Sequence, residues 1–248
     1  MVYLSQVTQN ECIADATEHW RRNKGRCNGS MYWQLNDCWG VCSWSSIDYY
    51  GNYKALQYGA RHFNAPVSVS IENTEEYIKL FVLNDLKEKQ DVTVTYDIFD
   101  FVSGTKQSDK KDVSIDAVKN ELVFELDVKS LAKAYDLKRT GVAVKLFKNG
   151  ELLQQKTVLF DKEKKLDLPK AKLKTRIEIK EDRLDITVKS DAYARLVKLE
   201  SADSVLPFSD NFFDLLPGEN KKITITSPDI KKGEQQNITV KHVRDTYN

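Results

Sequence analysis

From Pro66 onward the chain carries the alternating apolar and polar positions of half-buried strands. Val67-Ser68-Val69-Ser70-Ile71 and Val92-Thr93-Val94-Thr95-Tyr96 follow the two-residue period, and Leu80-Phe81-Val82 and Val142-Ala143-Val144-Lys145-Leu146 add further β-type runs. Asn149-Gly150 is a two-residue hairpin signal. Ser130 to Tyr135 predicts a helical turn. Short strands with regular turns predict an immunoglobulin-like sandwich from Pro66 to about Leu168. Leu168-Pro169-Lys170 marks a second junction. Beyond it, Thr175 to Ile179 and Leu184 to Val188 flank a Lys-Glu-Asp-Arg turn and predict a hairpin. Ala194 to Leu199, Ile223 to Thr226 and Ile238 to Lys241 supply the remaining strands of a second sandwich.

Before Asn64 the period changes. Ile13, Ala16 and Trp20 recur at helical spacing between Ser5 and Asn23, and Arg21, Arg22 and Lys24 follow where cations suit a helix C-terminus. Ser30 to Leu35 predicts a short strand. Tyr49 to Phe63 predicts a second helix, with Leu56, Ala60 and Phe63 on one face. Helix, strand, loop and helix make one and a half units of an α/β fold. The expected organisation is therefore 1–64, then a sandwich over 65–168, then a sandwich over 169–248.

Composition narrows the function classes. The 41% hydrophobic and 30% charged residues are those of a soluble globular protein, and 248 residues suffice for two or three small domains. The net charge is +1 with acids and bases intermixed, which argues against nucleic acid and anionic membrane as partners. No apolar run is long enough to span a bilayer, and Met1 to Gln6 lacks the charged start and apolar middle of a signal peptide. Cys12, Cys27, Cys38 and Cys42 contain no Cys-x-x-Cys, and only His19 and His62 lie near them. They read as buried free thiols of a reducing compartment rather than as a metal site. Nothing calls for a cofactor or a metal. The expected location is the cytoplasm, or the lysosome or exterior if a longer polypeptide carries a signal. Only then do the glycosylation triplets Asn28-Gly-Ser30 and Asn237-Ile-Thr239 count.

Gly29 to Gly51 holds three of the four tryptophans, Trp33, Trp39 and Trp44. They are threaded through Gln34, Asn36, Asp37 and a Ser-Trp-Ser-Ser turn, which a core does not need. Aromatic faces meet the C–H faces of a pyranose while amides and carboxylates take its hydroxyls, so this run is a candidate sugar site.

The same run resembles the end of the catalytic barrel in the family 2 glycoside hydrolases, specifically the β-mannosidases. The matching words are Tyr32-Trp33-Gln34-Leu35-Asn36-Asp37-Cys38-Trp39, Ser43-Trp44-Ser45-Ser46-Ile47-Asp48-Tyr49-Tyr50-Gly51 and Lys54-Ala55-Leu56. Gly40 departs from the family, which usually has proline there. Phe208-Ser209-Asp210-Asn211-Phe212-Phe213-Asp214-Leu215-Leu216-Pro217-Gly218-Glu219 resembles the last immunoglobulin-like domain of the same enzymes.

The resemblance implies a partial (β/α)8 TIM-barrel end, its seventh helix, eighth strand and eighth helix, followed by two all-β immunoglobulin-like sandwiches. It implies cleavage of terminal non-reducing β-D-mannose from β-mannosides with retention, by two glutamates on earlier barrel strands about 5–5.5 Å apart. Neither glutamate motif occurs here. Glu11 and Glu18 lie on the predicted first helix and read as solvated. Asp37 and Asp48 form no replacement pair, Asp48 being a helix cap, so no catalytic residue is assigned.

The resemblance makes Trp33 the floor under the terminal mannose, the alternative being a core tryptophan of the barrel. Asn36 and Asp37 take sugar hydroxyls, orient the catalytic acids or build a tight loop, Trp39 and Trp44 wall the pocket or pack the loop, and Gln34 is structural. Tyr49, Tyr50 and Tyr53 are expected in the helix core. Asp210 and Asn211 are expected to build a turn rather than bind calcium or sugar. The partners implied are the β-mannoside oligosaccharide and the N-terminal part of the enzyme. Residues 1–63 are expected to be poorly stable alone, or to pack against the first sandwich, another copy or a missing partner. Two alternatives stand beside an enzyme's C-terminal part: a non-catalytic carbohydrate-binding or structural protein, and one chain of a split enzyme.

Overall fold

The computed structural model describes residues 1–180, 183–201, 207–226 and 237–247. Two helices precede the strands, α1 (Val2–Arg22) and α2 (Ala55–Phe63). The chain divides into two compact units. One comprises Cys12–Met31 and Ala60–Asp167, the other Met1–Glu11, Tyr32–Gly59 and Leu168–Asn248. Residues 1–64 are thus shared out between the units, each of which has its own sandwich.

In the first unit, β1 (Val67–Asn73), β2 (Tyr77–Asn84) and β5 (Lys119–Asp127) form one sheet, in the order β1-β2-β5. The other holds β3 (Gln90–Asp100), β4 (Gly104–Ile115), β6 (Thr140–Lys148) and β7 (Glu151–Leu159), in the order β4-β3-β6-β7. All pairs are antiparallel. Val92, Val94, Tyr96 and Ile98 alternate inward along β3 and meet Val142, Val144 and Leu146 of β6, as the sequence pattern predicts. The edge strand β4 is exposed from Thr105 to Asp112 and rich in lysine and aspartate, which discourages pairing with another chain. The Asn149-Gly150 turn closes β6 onto β7 with both residues at positive φ, 53° and 82°. The helical turn expected near Ser130 is α3 (Val128–Ala134), capped by the Asp127 carboxylate, which accepts from the Ser130 amide.

The second half of α1 belongs to this unit. Arg21 donates to the Ala65 carbonyl at 2.8 Å and the Ser68 hydroxyl at 3.0 Å, and pairs with Asp85 at 2.9 Å. The Asn120 amide donates to the carbonyls of Arg21 and Arg22, at 3.2 and 2.6 Å, and so satisfies two orphan acceptors of the helix end. Glu18, expected to be solvated, is 8% exposed. It is paired with Lys156 of β7 and accepts from the Ser70 hydroxyl at 3.2 Å. A helix-face reading has no knowledge of strands that cover that face.

In the second unit, β8 (Leu173–Ile179), β9 (Arg183–Ser190) and β12 (Asn220–Thr226) form one sheet, ordered β12-β9-β8. The strands β10 (Ala194–Ser201), β11 (Phe213–Leu215) and β13 (Ile238–Lys241) form the other, ordered β11-β10-β13. The β8–β9 hairpin is as predicted, although the Glu181-Asp182 tip of its turn lies outside the described residues. Leu184, Ile186, Val188, Val197, Ile223 and Ile225 are core residues. Asn211 is buried and spends its amide on the Leu199 backbone, accepting from N at 2.8 Å and donating to O at 2.9 Å, so it is part of a turn as expected. Tyr3 of α1 stacks on Phe212 and donates to the Leu196 carbonyl at 2.6 Å.

Two elements differ from expectation. Ser30–Leu35 is not a strand. Its pairing with the residues around Ile47 stops at a single parallel bridge, Asn36 to Ile47, short of the ladder a strand requires. The second helix begins at Ala55, not Tyr49. Asp48 accepts from the amides of Tyr50 and Asn52 at 2.9 Å each and from the Asn52 side chain at 2.8 Å. It caps a turn through Gly51 (φ 86°) and not the helix. Tyr49 and Tyr50 are consequently exposed, whereas Tyr53 packs edge-on against buried Tyr58. The cysteines are free, but Cys12, Cys38 and Cys42 are exposed and Cys27 is half-buried, contrary to the buried thiols expected.

Candidate aromatic site

The aromatic run folds as a loop with a hydrogen-bonded stem. Ser46 N donates to Gln34 O at 3.0 Å, Ile47 N to Leu35 O at 2.8 Å and Asp37 N to Ile47 O at 3.2 Å. Lys54 N adds a third strand-like arm by donating to Ser46 O at 2.9 Å, and Ile47 bridges Tyr53 in antiparallel sense. The Ser46 hydroxyl lies 2.9 Å from Leu35 O and 2.8 Å from Gln57 Oε1, two acceptors for its single proton, which ties the stem to α2. The segment between Asp37 and Ser45 is the loop proper.

Asp37 lies inside that stem, 6% exposed. Its Oδ1 accepts from the Ser43 hydroxyl at 2.5 Å and its Oδ2 from the Ser45 hydroxyl at 2.8 Å, with the Lys54 ammonium 3.5 Å away. The Ser43 hydroxyl first, with Ser45 and Lys54 behind it, holds the carboxyl below its ordinary pKa against the opposing effect of desolvation. Both oxygens are thus engaged within the protein. Asn36 donates through Nδ2 to Asp37 O at 3.2 Å, and Gln34 donates to Asn36 O at 3.0 Å, a structural role as expected. The peptide between Trp33 and Gln34 is cis.

The tryptophans stand outside. Trp33 is 72% exposed, Trp39 66% and Trp44 59%. None of the three is a core residue. The stem keeps large apolar faces in water, which costs hydrophobic free energy unless a ligand or another protein surface covers them. Of the other acids before residue 64, Glu11 pairs with Arg195 at 2.7 Å, Glu18 with Lys156 and Asp48 with its turn, while Asp15 is exposed on α1. This loop therefore offers aromatic faces and amides but no acid–base pair. Ser43, Ser45 and Lys54, which organise it, escape a reading by chemistry. Their signal is the placement of two hydroxyls either side of Trp44.

Two family profiles match the chain, a mannosidase Ig/CBM-like domain over residues 76–165 and the Ig-fold domain of mannosidases over 168–246. The β-mannosidase of Bos taurus is 30% identical over 263 residues, covering 99% of this chain and 30% of its own length. Beta-mannosidase B of Thermothelomyces thermophilus is 28% identical, covering 88% and 28%. The crystal structure of the β-D-mannosidase from Dictyoglomus thermophilum superposes with a TM-score of 0.84 at 28% identity, over 97% of this chain and 29% of that one. An exo-chitosanase of Amycolatopsis orientalis shares the fold, with a TM-score of 0.75 at 17% identity. Residues 76–165 and 168–246 are thus two immunoglobulin-like domains of the type found in mannosidases. The chain corresponds to the C-terminal portion of a family 2 β-mannosidase. It spans about 30% of the length of the curated relatives it matches.

Proposed function

We infer that this chain serves the hydrolysis of terminal non-reducing β-D-mannose in β-mannosides, as the C-terminal part of an enzyme whose two glutamates lie in other sequence. The observation that carries this reading is the aromatic loop, three tryptophans exposed on a hydrogen-bonded stem, in a chain similar to β-mannosidases over 99% of its length. Residues 1–63 are read as the closing segment of a (β/α)8 barrel, with α1 and α2 as its last two helices and 32–37 entering the loop at the end where such barrels bind substrate. Trp33 provides the sugar-facing platform, Trp39 a wall, and Asn36 a hydroxyl partner. Asp37 acts through the loop it holds.

Purified alone, the chain is expected to show no turnover of an aryl β-mannoside. Co-expressed with a polypeptide carrying the rest of the barrel and its two glutamates, it is expected to restore turnover. In that reconstituted enzyme Trp33→Ala should lower kcat/KM by at least about tenfold, from the loss of the aromatic face. Turnover by the isolated chain, or a reconstituted enzyme indifferent to Trp33→Ala, would overturn the reading. The split-enzyme alternative predicts that a chain bearing the glutamates co-purifies from native cells.

A further inference from the structure

Trp44 is held more firmly than its exposure implies. The residues either side of it are both tied to one buried ion pair. Ser43 donates its hydroxyl to Asp37, and its carbonyl accepts from Lys54 Nζ at 3.3 Å. Ser45 donates its hydroxyl to Asp37 at 2.8 Å and accepts from Lys54 at 2.8 Å, while its amide donates to Ser43 Oγ at 3.1 Å. The Trp44 carbonyl accepts from Gln9 Nε2 of α1 at 2.6 Å. The backbone under this indole is fixed on three sides, and the ring itself stays 59% exposed.

Burying an ion pair is a poor route to stability, because desolvation consumes most of the Coulombic gain. The side chains of Asp37 and Lys54 are only 3% and 12% exposed. What the pair secures is geometry: one carboxylate and one ammonium converge on Ser43 and Ser45. A pre-set aromatic face binds with less ordering cost than a mobile one.

We propose that Lys54 is a positioning residue for glycoside recognition, acting with Asp37 through Ser43 and Ser45 to hold Trp44 as a fixed platform for a sugar ring. This rests on reading the loop as a glycoside-binding surface. It adds Lys54 to the residues that serve recognition, and it turns Trp44 from a wall or a packing residue into a platform that Asp37 and Lys54 hold in place.

The test uses the full chain and two NMR readouts. The first is the Trp44 indole N–H resonance, assigned with Trp44→Phe. Lys54→Met is expected to shift or broaden it, and Lys54→Arg to restore it, while the methyl resonances of both sandwich cores stay in place. The second is titration with β-1,4-mannobiose. Lys54→Met is expected to weaken binding about tenfold, the loss from two side chains that must then be ordered on binding, and Lys54→Arg to recover most of it. If Lys54→Met does not fold, the double variant Ser43→Ala/Ser45→Ala puts the same questions. An unmoved Trp44 resonance in a folded variant would overturn the proposal, as would unchanged mannobiose affinity with the resonance moved. A native chain that binds no mannobiose would overturn the glycoside reading itself, while the indole resonance still decides whether Lys54 positions Trp44.

Discussion

Gly141 lies in β6 opposite Phe99, and a Cβ built there would come within 2.9 Å of the Phe99 ring and 3.2 Å of a Leu159 methyl. Phe99 is completely buried, so its ring has no solvent to move into. Replacing glycine by alanine inside a strand ordinarily gains about 0.5–1 kcal/mol, and overpacking a filled core costs about 1–3 kcal/mol. The second term wins. Gly141→Ala is expected to destabilise by about 1–2 kcal/mol in urea unfolding, and adding Phe99→Leu should return part of that loss as a non-additive coupling. Equal stability of Gly141→Ala and the native chain would refute the close approach. At this scale the sequence is legible where chemistry alone speaks. Trp33, Trp39 and Trp44 stood out as aromatics in polar company, and they are exposed. It is illegible where a side chain's task depends on distant neighbours. The carboxylate of Asp37 and that of Glu18 look alike on paper. Only the fold brings Ser43, Ser45 and Lys54 to one, and Ser70 and Lys156 to the other.

The second half of α1 is attached to its sandwich by polar contacts, and among its ion pairs Glu18–Lys156 is the one with both side chains largely buried. Burial pushes the Lys156 ammonium below its ordinary pKa, and Glu18 pulls it back only in part. Glu18→Ala would leave that ammonium buried without its counter-charge. It is expected to cost about 3 kcal/mol, the low end of the range for breaking a buried pair, since Lys156 keeps some contact with water. Glu18→Leu/Lys156→Met should recover most of the loss by removing both charges together. A double variant as unstable as the single one would show that packing, not charge, governs this contact. Elements follow the same rule of legibility as residues. The strands of both sandwiches were readable because alternation is a local property, and so was the Asn149-Gly150 turn. The start of α2 was not, because the Asp48 side chain competes for the amides of Tyr50 and Asn52. Residues 30–35 were not either, since strand identity belongs to a ladder and not to a segment.

For the molecule as a whole, the perturbed acids and the buried histidine act in one direction as pH falls. His242 is 2% exposed. Desolvation holds its pKa below the ordinary value, against the nearby Asp245 carboxylate and a backbone bond to Ala171 and with the added repulsion of Arg244. Between about pH 6.5 and the folded value, the unfolded chain therefore binds more protons than the folded one, so stability declines as pH drops through that window and levels off below it. The carboxylates contribute a second decline. Asp185, held down to about 2 by hydrogen bonds from Lys180 and Lys222 with Arg183 beside them, contributes stability that is present above the unfolded value of about 4 and is lost as pH falls toward 2. Asp37, Asp100, Asp127, Asp161 and Glu200 are lowered as well and add to the same leg. Thermal unfolding followed by circular dichroism should then show a melting midpoint that steps down twice between pH 7 and pH 2. His242→Gln, whose amide can keep the bond to the Ala171 carbonyl, should flatten the first step and leave the second. Asp185→Asn should shrink the second and leave the first. A first step unchanged by His242→Gln would mean that another group titrates there.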